Sequence, residues 1–153
     1  MKNNTIEKLI KEKIQPLDEG VYQAINGACV EGLPIFEFFY DKKCEGCLTV
    51  DRYNLTGTQD ENDRELIKFI NLNPERFTQL PSHSAKKDFG IMKDFAYESN
   101  RAELISALEG KKPMATFNLR VGQLNLEETW FEFRQNYYDA LFKNWAKNND
   151  IKI

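Results

Sequence analysis

A chain of 153 residues that is 41% hydrophobic and 29% charged, with eight Gly and five Pro, lies inside the globular range and outside disordered and collagen-like compositions. At this length one domain can bury about 70% of the surface its unfolded form exposes, so a core rich in its eleven Phe, six Tyr and two Trp needs no cross-links. Its 24 acidic and 21 basic residues leave a net charge of -3, which supplies no general attraction to phosphate backbones or anionic lipid and disfavours nucleic acid as a partner.

Thr5 can cap a helix in which Ile6, Leu9, Ile10 and Ile14 recur at helical spacing until Pro16. Asp18 can cap a second helix, with Val21, Tyr22, Ile25, Cys29 and Val30 on one broad face and an end near Gly32. Residues 5–31 therefore read as N-terminal helices. Ile35 to Tyr40 and Leu48 to Tyr53 are aromatic or β-branched and read as strands, and the charged segment Asp41 to Gly46 reads as the turn of a hairpin over 35–53. After a polar loop to Asp60, Leu66, Ile67, Phe69, Ile70 and Leu72 mark a helix stopped by Pro74. Glu75 to Leu80 lies between two prolines, as a connecting strand or an extended segment.

Helical spacing then returns. Phe89, Met92, Phe95 and Ala96 form one set, and Leu104, Ile105 and Leu108 a second, parted near Asn100 and ended by Gly110. Pro113 opens a helix carrying Met114, Phe117, Leu119, Val121 and Leu124. The last helix, from about Leu126 to Lys147, presents Trp130, Phe133, Tyr137, Leu141 and Trp145 along one stripe, flanked by Phe131, Tyr138 and Phe142. The expected architecture is a single α+β domain over 1–153, in which a small antiparallel sheet from the early hairpin packs with a mainly helical C-terminal half, helical over 60–148.

Three stretches carry a family likeness. Pro74 to Pro81, followed by Asp88 to Phe95, looks like an Arg-Tyr-x-x-Leu-Pro segment and the Tyr-x-Ile-Met-x-x-Phe helix after it. Leu104 to Gly110, with Lys111 and Phe117, looks like a leucine-rich helix and a Gly-Lys-Gly-x-Phe-x-x-Phe segment. Trp130-Phe131-Glu132-Phe133-Arg134, with Trp145 and Asn148 to Ile151, looks like a Trp-Tyr-x-Phe-Arg helix and the C-terminal end beyond it. In this the chain resembles the uncharacterised bacterial proteins catalogued as number 158 of the UPF (unknown protein family) series, from about Pro74 to Ile151 and more weakly at the hairpin. Where that family places a basic pair and a lysine, this chain has Ala115, Thr116 and Asn118, and Pro113 and Met114 replace a small residue and a Phe. The resemblance implies a fold and transfers no reaction.

The motifs that could carry chemistry are incomplete. Cys44-Glu45-Gly46-Cys47 has the C-x-x-C spacing, but a strand follows it where a thiolate-stabilising helix terminus would be needed. Zinc would require about four ligands, and Cys29 and the single His83 are the only further soft ones. His83 stands in Ser82-His83-Ser84 without a nucleophile elbow and reads as a loop histidine. Glu128 and Glu132 share a helix face and read as solvated surface, and no glycine-rich phosphate loop is present. No cofactor and no metal is called for.

The last helix offers more apolar width than one packing face consumes. We therefore expect a patch built on Trp130, Phe131, Arg134 and Tyr138 to bind another protein, or a second copy of the chain, with Arg134 either an anchor beside the rings or the buried partner of a carboxylate. Lys111, Lys112 and Arg120 are the candidate anion contacts, diluted by Asp88, Asp94 and Glu109. Three cysteines are too few for a disulfide framework, and the N-terminal residues contain no apolar run nor does any window approach the ~18 apolar residues of a membrane span, so a cytoplasmic protein without a membrane partner is expected. The functional expectation is a non-catalytic protein-binding or regulatory module; the alternative is a nucleic-acid-associated protein, and an unrecognised enzyme ranks third.

Overall fold

The computed structural model describes residues 3–153. In chain order they form α1 (Asn3–Lys13), α2 (Leu17–Asn26), β1 (Cys29–Val30), β2 (Leu33–Pro34), β3 (Glu37–Asp41), β4 (Gly46–Val50), α3 (Glu61–Leu72), β5 (Phe77–Gln79), α4 (Ala85–Glu98), α5 (Ala102–Glu109), α6 (Pro113–Gln123) and α7 (Glu127–Asn148). The fold is α+β, with two small antiparallel sheets and a mainly helical C-terminal half. The chain divides into two compact units: the residues up to His83 with Phe142–Ile153, and Ser84–Leu141. Among the described residues no helix is long and apolar enough to cross a membrane.

In the first unit the sheet runs in the order β4-β3-β5, all antiparallel, with Phe39 opposite Leu48 on one side and Gln79 on the other. The extended segment between the two prolines is thus the third strand. Strand residues alternate between faces, and both faces of β3 and β4 are buried. On one face, Ile6 and Ile10 of α1 and Leu66 and Ile70 of α3 close over Phe39, Leu48, Val50 and Phe77. On the other face Cys47 meets α2, whose Gly20 lies so close that a Cβ there would fall 2.3 Å from Cys47 Sγ. Only glycine permits that approach. The outer edge of β4 is closed by Gln15, which donates to Cys47 O at 3.0 Å and accepts from Cys47 N at 2.8 Å. Asp60 and Asp63 form a reciprocal capping box that starts α3.

Asp41, with no exposed surface, joins the hairpin to β5. Its carboxylate accepts from Arg76 Nε and Nη2, each at 2.9 Å, and from the turn amides of Lys43 at 2.9 Å and Cys44 at 3.3 Å. The other side of the same guanidinium holds Glu7 of α1, through Nη1 to Oε1 and through Nη2 to Oε2 at 3.0 Å. Its carbon also lies 5.4 Å and 5.0 Å from the Phe69 and Phe77 ring centres. Burial by itself would push the Asp41 carboxyl up, but the Arg76 hydrogen bonds and charge and the two backbone donors together hold it below the usual carboxylate range. Glu7 is held low chiefly by its hydrogen bonds to Arg76.

Three sequence expectations are corrected here. Cys29 and Val30 do not extend a helical face: α2 ends at Asn26, Gly27 turns extended, and β1 pairs with β2 across Glu31 and Gly32 at φ 52° and 80°, the two left-handed positions of a tight hairpin turn. Gly32 is needed in that turn and does not cap a helix. Leu72 and Leu119 keep 80% and 57% of their surface exposed, because each lies two residues, about 200° of helix, from a buried neighbour, Ile70 and Val121 or Phe117.

The second unit is built from α4, α5, α6 and the first part of α7. Ser84 caps α4 by accepting from Lys87 N, and left-handed Asn100, Lys112 and Asn125 mark the joints between helices. Its core comprises Met92, Phe95, Ala96, Leu104, Leu108, Phe117 and Val121. Phe95 meets Phe117 and Phe133 edge-on, with ring centres 6.3 Å and 5.2 Å apart. Along α7 the deepest line is Tyr138, Phe142 and Ala146, a flank of the expected stripe; Trp130, Phe133 and Trp145 are half-buried, and Tyr137 is exposed.

Candidate docking groove

The joint between α6 and α7 is short. Asn125 in the left-handed conformation lets its N–H reach Gly122 O at 3.2 Å and Leu126 N–H reach Val121 O at 2.9 Å, which folds the two helices into a tight hairpin. A groove of about 460 Å³ opens beside this joint, lined by Asn118 and Val121 of α6 and by Glu127, Glu128, Trp130 and Phe131 of α7. Its floor is fixed from below. Trp130 packs edge-on against Phe117, with ring centres 5.0 Å apart, and tilts over Phe95 at 5.4 Å. Phe131, the next residue, is turned 100° around the helix and stays 62% exposed. Glu127 and Glu128 form an acidic rim where carboxylates favour the first turn of α7.

The four residues expected to form a patch are divided between two places. Trp130 and Phe131 line the groove. Tyr138 has no exposed surface, and its hydroxyl donates to Asp88 Oδ1 at 2.7 Å. Arg134 Nε is ion-paired to the same oxygen at 3.4 Å, and its guanidinium lies 4.9 Å from the Tyr138 ring centre. Of its two readings, the carboxylate partner is the arrangement present. Burial, and then the Asp88 carboxylate, push the Tyr138 phenol well above its ordinary range, so this group acts as a neutral donor.

Lys111 and Arg120 border a separate depression of about 340 Å³ at the joint of α5 and α6, together with Ser106, Thr116 and the opposing charge of Glu103. Lys112 is not in its lining; it takes the left-handed position before α6, and Arg120 donates to Gln123 Oε1 at 2.6 Å. The C-x-x-C lies on the hairpin, as expected. Cys47 is fully buried and its thiol is pushed up to about 12 by desolvation, and Cys44 is pushed up by burial and by Asp41. Neither is poised as a thiolate. Among the described residues no group of three or more His, Cys, Asp or Glu side chains is placed to hold a metal. Sequence reasoning missed the Asp41, Arg76 and Glu7 cluster and the meeting of Cys29 with His83, 54 residues apart, because neither leaves a local pattern.

Comparison with known proteins gives a family. The model of the uncharacterised protein family UPF0158 matches residues 33–153. Among curated proteins the chain is similar to the UPF0158 protein PA5073 of Pseudomonas aeruginosa, 26% identical over 95 residues that make up 59% of this chain and 62% of the relative. The chain therefore spans less than two thirds of that relative's length. No solved structure matches.

Proposed function

The chain belongs to the uncharacterised protein family UPF0158, a membership that brings no reaction with it, and from the groove we propose that the protein is a non-catalytic binding module for a segment of another protein. The observation that carries this reading is Phe131, 62% exposed beside a Trp130 seated on the core and rimmed by Glu127 and Glu128. An aromatic left in water on a rigid helical hairpin gains by being covered, and rings on a packed base lose little conformational freedom when they bind. The acidic rim favours a partner of complementary chemistry: one aliphatic or aromatic side chain to fill the groove, flanked by Lys or Arg to meet the carboxylates.

Selection of a random peptide library on the immobilised full chain tests this. Enriched peptides carry a large apolar residue flanked by basic ones. Phe131→Ala weakens their binding by about tenfold or more, as expected for an aromatic anchor. The same substitution leaves thermal stability unchanged within about 0.5 kcal/mol, since the ring is on the surface. Glu128→Lys weakens binding most at low salt. Enrichment of no common motif, or peptides that bind equally to Phe131→Ala, refutes the reading.

A further inference from the structure

The structure sorts the three thiols of the chain into different environments, and only one of them is exposed. Cys29 is the first residue of β1, on the small two-stranded hairpin. Its Sγ lies 3.6 Å from Nε2 of His83, the only histidine of the chain, and 4.0 Å from Gly27 O. The histidine is held in place: its backbone N–H donates to Ala24 O at 2.9 Å, and Nε2 lies 2.7 Å from Gly27 O. A carbonyl oxygen only accepts, so the contact at 2.7 Å assigns the hydrogen to Nε2. That N–H faces the carbonyl and has the sulfur as its second neighbour.

We propose that Cys29, with His83 as its positioning residue, is a thiol-modification site that takes low-molecular-weight disulfides. An N–H donor beside a sulfur favours the ionised form over the thiol, and the thiolate is the nucleophile. The pairing therefore raises reactivity most at pH values where an ordinary thiol is still protonated. In the reaction the Cys29 proton goes to water. The thiolate then attacks one sulfur of the disulfide R–S–S–R, the new Sγ–S bond forming as the old S–S bond breaks, and the departing RS⁻ takes a proton from water. The products are a mixed disulfide on Cys29 and one free thiol RSH, so the disulfide is the only oxidant consumed. In-line attack on a disulfide needs an open approach to the sulfur, which an exposed residue on a hairpin provides. Cys47 is closed off by burial and Cys44 is half-buried beside the Asp41 carboxylate, which opposes a thiolate.

The test follows the full chain, under native conditions, reacting with 2,2′-dithiodipyridine, whose released thione is read optically, with the modified residue mapped by mass spectrometry. The first equivalent is expected on Cys29, and Cys29→Ser removes that phase. At neutral pH the wild-type rate exceeds that of His83→Phe by about tenfold, and the ratio closes towards one in alkali, where any thiol is ionised. His83→Gln, which keeps a side-chain N–H, recovers part of the difference. Should His83→Phe fail to fold, a peptide of residues 27–34, which carries Cys29 without the histidine, is the reference, and the chain reacts about tenfold faster than it at neutral pH. Phe131→Ala leaves all these rates unchanged, which separates this site from the docking groove. A first equivalent on Cys44, superposed pH profiles for wild type and His83→Phe, or a wild-type rate no faster than that of the peptide overturns the proposal.

Discussion

Arg76→Met lowers stability by about 3–5 kcal/mol, read as a fall of about 6–20 °C in the unfolding midpoint of a chain this size. The size of the effect comes from what is left behind. Asp41 has no exposed surface, and without the guanidinium its charge loses its two charge-assisted hydrogen bonds and keeps neutral donors such as the turn amides of Lys43 and Cys44. An uncompensated buried charge costs far more than the net worth of the pair it came from. Asp41→Asn in the Arg76→Met background should recover part of the loss, because it removes the stranded charge. The pH dependence has a definite sign. Asp41 and Glu7 are both held below their ordinary values in the folded state, so they bind fewer protons there than in the unfolded chain. Their contribution is fully present above about pH 4 to 5 and is lost as pH falls through the depressed values. Arg76→Met therefore flattens the acid limb of the stability profile as well as lowering its plateau, and thermal melts across that range check both.

Phe117→Ala should cost about 3–5 kcal/mol in the second unit, as for other buried Phe truncations. The ring has no exposed surface and makes edge-on contacts with Phe95 and Trp130. Its loss opens a void directly beneath the groove floor. Trp130 then loses one of its two ring contacts and keeps only that with Phe95, so peptides selected on the wild type bind the variant more weakly even where it remains folded. Comparison with Phe131→Ala separates two contributions: truncating the exposed ring removes contact area and leaves the denaturation midpoint in place, and truncating the buried one changes both. Denaturant unfolding alongside peptide titration of each variant measures this difference.

The hairpin was legible because its signals are local: apolar and β-branched runs on either side of a charged turn, with β3 and β4 falling inside 35–53. Helix α7 was legible in extent for the same reason, but its deepest line was not. Tyr138 is buried because its hydroxyl meets Asp88, 50 residues away, and no periodicity reports whether a phenol has found an acceptor. The stripe through Trp130 and Trp145 and the line through Tyr138 and Phe142 are neighbouring tracks on one broad face, which helical periodicity alone does not rank by depth. Arg76 was hidden similarly. It sits in a segment that the sequence left open between strand and extended chain, and it acquires its role only when β5 pairs with β3 and brings it to Asp41, 35 residues earlier. The groove was half legible: an excess of rings on α7 pointed to Trp130 and Phe131, while the second wall, Asn118 and Val121, depends on a left-handed Asn125.

A surface turn normally trades its amide hydrogens with deuterated solvent almost as fast as an unfolded peptide does. The Lys43 and Cys44 amides are tied to a carboxylate that is itself clamped by the guanidinium of the residue just before β5, which in turn grips the N-terminal helix. Their isotope exchange therefore waits for that clamp to release, on the slow clock of the unit's cooperative opening.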